Sequence, residues 1–402
     1  MKPQRFTAAF LTVCLAIISS SLQPAKAESL KVVAKGLNNA RGLTVGSDGS
    51  IYVTESGVGG DGKCMPSPSV GGQLLCAGNS GAVTKITPDG KQNQIITGLP
   101  SLALEDDQIE AAGPQDLKFD AFGNAYLLVG MAGNPGHRDA QLNAAGGNQI
   151  PPDQVVDSPG LGRLYKFDRQ AGAWFSIADM PPYELAKNPD QGDVISNPYA
   201  LTLIGNTAYI VDAGGNSLYR VGLDGSSLQA IGLPRQILKN PIFPKPQPGE
   251  VLPPGAPPPG QEPKEIPIQS VPTGIAVGPD GALYVSEFTG FPYPEGKARI
   301  FRIDRDGKPE VYAEGFTQIG DVEFDKQGNM YVLQIADQSL WKGKLDSSLI
   351  KVAPDGKRTT VVKAGEGLVA ATALDIGPDG AIYITNKGIT PGTGEVVKIT
   401  GQ

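Results

Sequence analysis

Of 402 residues, 53 are glycine and 35 proline, roughly a fifth of the chain against ~12% in average usage; both residues break helices, which excludes a mainly helical protein. The 40% hydrophobic content supplies a core and excludes global disorder. A single histidine excludes histidine-rich zinc motifs and leaves one candidate base for a Ser-His-Asp arrangement.

Residues 1–27 read as a secretory signal. Lys2 and Arg5 precede an apolar run over 8–18, and a polar stretch closes on Ala25-Lys26-Ala27. An apolar run of this length falls short of the ~20 residues that span a bilayer. Cleavage before Glu28 removes three of the 34 basic residues and no acid, so the net charge moves from −7 to −10. Nucleic acid and anionic membranes are therefore excluded as partners. The expected mature protein is a secreted monomer, periplasmic or extracellular. Cys14 leaves with the signal. Cys64 and Cys76 remain in a Gly/Pro/Ser-rich loop, and a disulfide is their simplest fate in an oxidising compartment.

Residues 28–402 read as one domain built on six similar segments: 42–56, 116–130, 200–213, 274–288, 321–335 and 373–387. Each has an apolar strand, a turn, and a second strand carrying a tyrosine, at Tyr52, Tyr126, Tyr209, Tyr284, Tyr331 and Tyr383. Repeats of this kind mark a propeller or a solenoid. A second strand pair follows, clearest at 82–88 with 93–98 and at 298–304 with 310–314, which predicts four antiparallel strands per blade. The last segment has a third strand, 395–401, and no fourth. The spacing predicts that 29–38 supplies it, closing the ring and removing an exposed edge. The expected fold is all-β, a six-bladed β-propeller; an open solenoid would need capping repeats.

This strand order divides the faces. One carries stereotyped turns at Asp48-Gly49, Asp89-Gly90, Asp280-Gly281, Asp306-Gly307, Asp355-Gly356 and Asp379-Gly380, read as turn chemistry with glycine at positive φ and not as calcium ligands. The other carries the insertions 64–76, 104–111, 131–159, 181–198 and the proline-rich 241–267. Elaborated loops on a rigid scaffold are where binding resides. The proline-rich insertion reads as an extended excursion and not as a domain.

On the decorated face the first strands begin with Arg41, Gln115, Tyr199, Thr273, Gly320 and Thr372, placed at the mouth of the central channel. Arg41 and Tyr199 either meet the polar and aromatic parts of a ligand or pack across the channel. The second strands end in Glu55, Val129, Asp212, Glu287, Gln334 and Asn386, of which five bear oxygen. Two readings stay open. Glu55, Asp212, Glu287 and Asn386 converge as ligands of a hard cation such as Ca²⁺, or the side chains accept backbone N–H groups from nearby loops. His137 reads as a solvated loop histidine before a general base.

The Gly-Pro-Asp-Gly turns and tyrosine strands resemble NHL-type six-bladed propellers. A longer series is more specific: NARGLTVGSDGSIYVTESG from residue 39, the cysteine pair, GLPSLA from 98, GPQDLKFD from 113, GNPGHRD from 133, NPDQGDVISNPYAL from 188, VPTGIAVGPDGALYVSEFTGFPYPEG from 271 and GPDGAIYITNKG from 377. Over essentially the whole mature chain these resemble the ScyD/ScyE family. The resemblance implies an exported propeller associated with biosynthesis of scytonemin, an indolic-phenolic pigment, and acting late in its assembly. It carries over no catalytic residue, and the proline-rich insertion departs from the family pattern. The leading expectation is a binding or accessory protein for a small aromatic metabolite or a partner protein. The alternatives are a Ca²⁺-dependent lactonase or hydrolase and a quinone-dependent sugar dehydrogenase-like oxidoreductase.

Overall fold

The computed structural model describes residues 29–70, 73–138, 160–168, 173–244, 256–304 and 306–400. The expected signal lies outside them. The chain folds as a six-bladed β-propeller of four-stranded antiparallel sheets. Blade 3 shows the plan: Pro198–Ile204, Thr207–Asp212, Ser217–Gly222 and Gln229–Gly232 lie side by side in chain order. Blade 6 joins Ala373–Ile376, Ile382–Asn386 and Gly394–Thr400 to the N-terminal strand Ser29–Leu37, which pairs antiparallel with Gly394–Thr400. The two ends of the chain thus close the ring, as the sequence predicts.

Two details exceed the repeat. Blade 1 gains a short strand, Cys64–Pro66, set against Leu74–Ile86 so that Cys64 faces Cys76 directly and the two form a disulfide. The proline-rich insertion leaves and re-enters through a two-stranded ribbon, Gln236–Lys239 with Glu265–Ile268.

Period-two alternation turns one face of each strand onto the adjoining blade. Six apolar clusters result, one at each blade-to-blade interface. Between blades 3 and 4, for example, Val211 and Leu218 pack with Leu283, Val285, Phe301 and Ile303. At the tight turns, Asp48, Asp280 and Asp379 each accept the N–H two residues ahead, and Gly49, Gly281 and Gly380 adopt φ of 75–77°. These aspartates close Asx turns. Among the described residues no helix is long and apolar enough to cross a membrane.

Candidate functional site

In five blades the first strand begins with a bulge, for example between Pro114 and Asp116 or between Pro198 and Ala200. Two residues there oppose one on the neighbouring strand, which re-aims the side chain that follows. Arg41, Gln115, Tyr199 and Thr273 are thereby brought, together with Thr372 of blade 6, to line one cavity at the propeller axis. Arg41 is buried and donates to the carbonyls of Gly388 and Ala111, tying the last blade to the loop before the second. Burial lowers its pKa, and nearby Tyr199 and Glu110 oppose that shift. About 20 Å³ of free space remains along this cavity, room for a water and not for an organic ligand.

Below the mouth lie residues that sequence reasoning did not single out. In blade order the next layer reads Gly42, Asp116, Ala200, Gly274, Asp321, Ala373, one triplet used twice. Each glycine makes room for the aspartate of the next blade: a Cβ on Gly42 would lie 2.8 Å from Asp116 Oδ1, and one on Gly274 2.7 Å from Asp321 Oδ1. The aspartates staple blades together. Asp116 accepts the N–H of Leu117 and, across the interface, that of Leu201. Asp321 accepts those of Val322 and Leu374, and Asp375 those of Ile376 and Val45.

Lys118 stands among these acids, 3.5 Å from Asp116 Oδ1, and donates to Thr44 Oγ1. Burial disfavours its charge, but Asp116, Asp375, Asp321 and Glu323 outweigh that and raise its pKa. Burial also pushes Asp321 up to about 7. Burial, followed by the Asp375 charge, pushes Glu323 up to about 8. The channel is therefore a packed ionic core able to hold protons near neutrality.

The strand-end residues have a different task. Glu55 accepts the N–H of Asn38, and Gln334 and Asn386 accept those of Thr317 and Val369. Each acceptor stands 17 positions after its donor. The residue following each donor, Asn39, Gln318 or Ala370, adopts positive φ. The oxygen thus holds a strained entry into the first strand. Glu287 accepts from Ser270 Oγ and is gripped by Arg299 through its backbone and guanidinium. Asp212 accepts from Ser196 Oγ and from the N–H groups of Asn197, Gly214 and Gly215. Glu55, Asp212, Glu287 and Asn386 are each engaged within their own blade. Among the described residues no three His, Cys, Asp or Glu side chains form a group able to hold a metal ion. At Val129, the apolar member, the strand end is tied by backbone instead, with the N–H of its neighbour Gly130 donating to the carbonyl of Gly113.

One buried acid has no such partner. Glu184, on the helix Met180–Lys187, is fully buried, and neither of its carboxylate oxygens has a hydrogen-bond partner among the described residues. It presses on the Asp212 turn, where a Cβ added to Gly215 would lie 2.9 Å from Glu184 Oε2. Ser217 Oγ and Tyr219 OH, both buried, lie beside each other next to this acid and have no further hydrogen-bond partner among the described residues. Burial, reinforced by Asp212 and Asp190, pushes Glu184 up to about 8. His137 lies on a one-turn helix capped by Asn134. Its neighbour Arg138 is the engaged residue, fully buried and paired with Asp179.

Around the mouth the loops bring aromatic rings together. Phe291 lies 5.9 Å from both Phe243 and Tyr293, and Phe288 lies 6.0 Å from Tyr293. Tyr293 and Arg41 both feel the charge of Glu110, whose pKa burial raises.

No family model matches the chain, and no curated protein matches it. Among solved structures it is similar to the soluble aldose sugar dehydrogenase of Escherichia coli in its apo-form, at 12% identity over 93% of this chain and 100% of that one, with a TM-score of 0.51. It is also similar to a glucose dehydrogenase, at 11% identity over 93% and 100% of the two chains, with a TM-score of 0.50. At such identity the likeness is one of fold, and these chains share with it the closed ring of blades.

Proposed function

We propose that this chain is an exported, ScyD/ScyE-like propeller that binds and presents, serving as an accessory protein for a small aromatic metabolite or a partner protein in an extracytoplasmic, scytonemin-type pathway. The observation that carries this reading is the mouth of the channel. Arg41 seals it through two carbonyls, about 20 Å³ remains beneath, and the half-buried rings of Phe288, Phe291 and Tyr293, backed by buried Phe243, cluster in the loops, with Tyr293 close enough to Glu110 to feel its charge. Such a surface offers stacking area to a flat ligand, whereas a turnover site needs a pocket that surrounds its substrate. The disulfide agrees with export.

A second reading has its own observation. Glu184, on the helix before blade 3, and Asp212, Ser217 and Tyr219 of that blade place oxygen-bearing side chains together, the donor type that Ca²⁺ prefers. On this reading the chain is a Ca²⁺-dependent lactonase or hydrolase. One set of measurements separates the two: binding of indole and phenol monomers by calorimetry, calcium-induced thermal shift, and turnover of aldonolactones. Binding that falls when Tyr293 and Phe291 become alanine, without lactone turnover, supports the accessory reading. Calcium-dependent turnover abolished in Asp212→Asn would replace it with the second.

A further inference from the structure

The sixfold repeat supplies its own control on the tight-turn face. In every blade the tyrosine of the second strand lies opposite a basic residue of the third: Tyr52 and Lys85, Tyr126 and Lys166, Tyr209 and Arg220, Tyr284 and Arg302, Tyr331 and Lys351, Tyr383 and Lys398. In blades 1, 4 and 6 the turn aspartate pairs with that cation, at 3.8 Å for Asp48 with Lys85, 2.8 Å for Asp280 with Arg302 and 2.7 Å for Asp379 with Lys398. In blades 2 and 5 the turn still carries Asp120 or Asp325, and the lysine ammonium lies 5.9 or 5.6 Å from the tyrosine ring centre.

Blade 3 breaks the pattern. Its turn reads Ile204-Gly205-Asn206-Thr207, with no acid. Arg220 is exposed and forms no ion pair or hydrogen bond among the described residues. Two hollows flank it. One, of about 610 Å³, opens toward blade 2 and is walled mainly by polar groups such as Asn206, Thr207 and Ser226. The other, of about 550 Å³, opens toward blade 4, where Ile204, Tyr209, Leu218, Leu283 and Ile303 form an apolar wall. Asp304 and Asp306 stand on the rim of that second hollow.

We propose that the hollow between blades 3 and 4 is a binding site for an organic monocarboxylate, its carboxylate held by Arg220 and its apolar body laid against Ile204, Leu283 and Ile303. A free guanidinium is the group best shaped for a bidentate carboxylate. The apolar wall rewards a hydrocarbon or aromatic body. The rim aspartates repel a second anionic end and so select against dicarboxylates. This site is on the face opposite the decorated loops, so its fate is independent of the function proposed above.

The test is calorimetric titration of the purified protein with 3-phenylpropionate, its neutral amide, and the dicarboxylate succinate. Saturable binding of the acid below about 10 mM is expected, with the amide and succinate at least about tenfold weaker, since a charge-assisted hydrogen bond is lost or a charge clash gained. Arg220→Gln should weaken the acid by about the same factor and leave the amide unchanged. Asn206→Asp, which restores an acid to the turn, should do likewise by pairing with Arg220. Equal binding of acid and amide, unchanged affinity in Arg220→Gln, or no binding of the acid would each overturn the proposal.

Discussion

Glu184 gives the sharpest quantitative handle on the fold. A glutamic acid ordinarily titrates at 4.5, and this one is pushed up to about 8. Its native pKa lies above the unfolded one, so its contribution to stability is fully present below pH 4.5 and is lost as pH rises through about 8. At ~1.36 kcal/mol per pH unit, the loss between pH 5 and pH 9 is about 4 kcal/mol. With ~2.1 cal/mol/K of unfolding entropy per residue, a chain of this size moves roughly 1 °C per 0.8 kcal/mol. That loss therefore lowers Tm by about 5 °C. Glu184→Gln keeps the shape of the side chain and removes its titration. Differential scanning calorimetry of both proteins at pH 5 and pH 9 should show the variant falling about 5 °C less than the parent. Other buried acids, such as Asp321 and Glu323, titrate in both proteins and cancel in this comparison. Parallel Tm profiles would refute the claim that Glu184 is buried without a partner.

Lys118→Met should destabilise by about 3 kcal/mol at pH 8, because it strands acids around a missing cation. At pH 5, where Asp321 and Glu323 are protonated, the cost should shrink, so chemical denaturation at the two pH values checks both magnitude and sign. Deleting the segment up to Leu37 removes the fourth strand of blade 6 and exposes an edge; the shortened protein should aggregate, as read by size-exclusion chromatography. Cys64→Ser with Cys76→Ser opens a loop of 12-residue separation, an entropic change of about 3 kcal/mol at most. Limited proteolysis should then cut blade 1 near this loop while the other blades stay resistant.

The fold was legible because its determinants are local. Asx turns, glycine at positive φ and strands alternating with period two all lie within windows of about fifteen residues, and each of the six tyrosines marks the same place in its blade. The closing strand was legible by elimination, since the last blade lacked a fourth strand and 29–38 resembled one. The strand-end residues are legible in the sequence as positions, but their task is not, because cation ligation and capping of backbone N–H groups use the same oxygen-bearing side chains. Oxygen at Glu55, Gln334 and Asn386 recurs because blades 1, 5 and 6 enter their first strands through a left-handed residue that an acceptor holds.

The channel acids were hidden by the bulges. Strict alternation along a first strand would assign Asp116 and Lys118 to one face and Gln115 to the other. The bulge between Pro114 and Asp116 lets Gln115, Asp116 and Lys118 share one cavity. A local signal did exist: Asp116, Asp321 and Asp375 interrupt strands that are otherwise apolar or aimed at neighbouring blades, and a buried carboxylate is tolerated there only with donors in place. Those donors come from the next blade, from Leu201, Leu374 and Val45. The partner of Asp375 lies 330 positions away, so no window of sequence contains both halves of the interaction. The same reasoning exposes Arg220. Its singularity is invisible in its own strand and appears only when the six blades are compared and one turn proves to lack the acid that three others use to form an ion pair. A closed ring of repeats therefore shows function best where one unit departs from the rest.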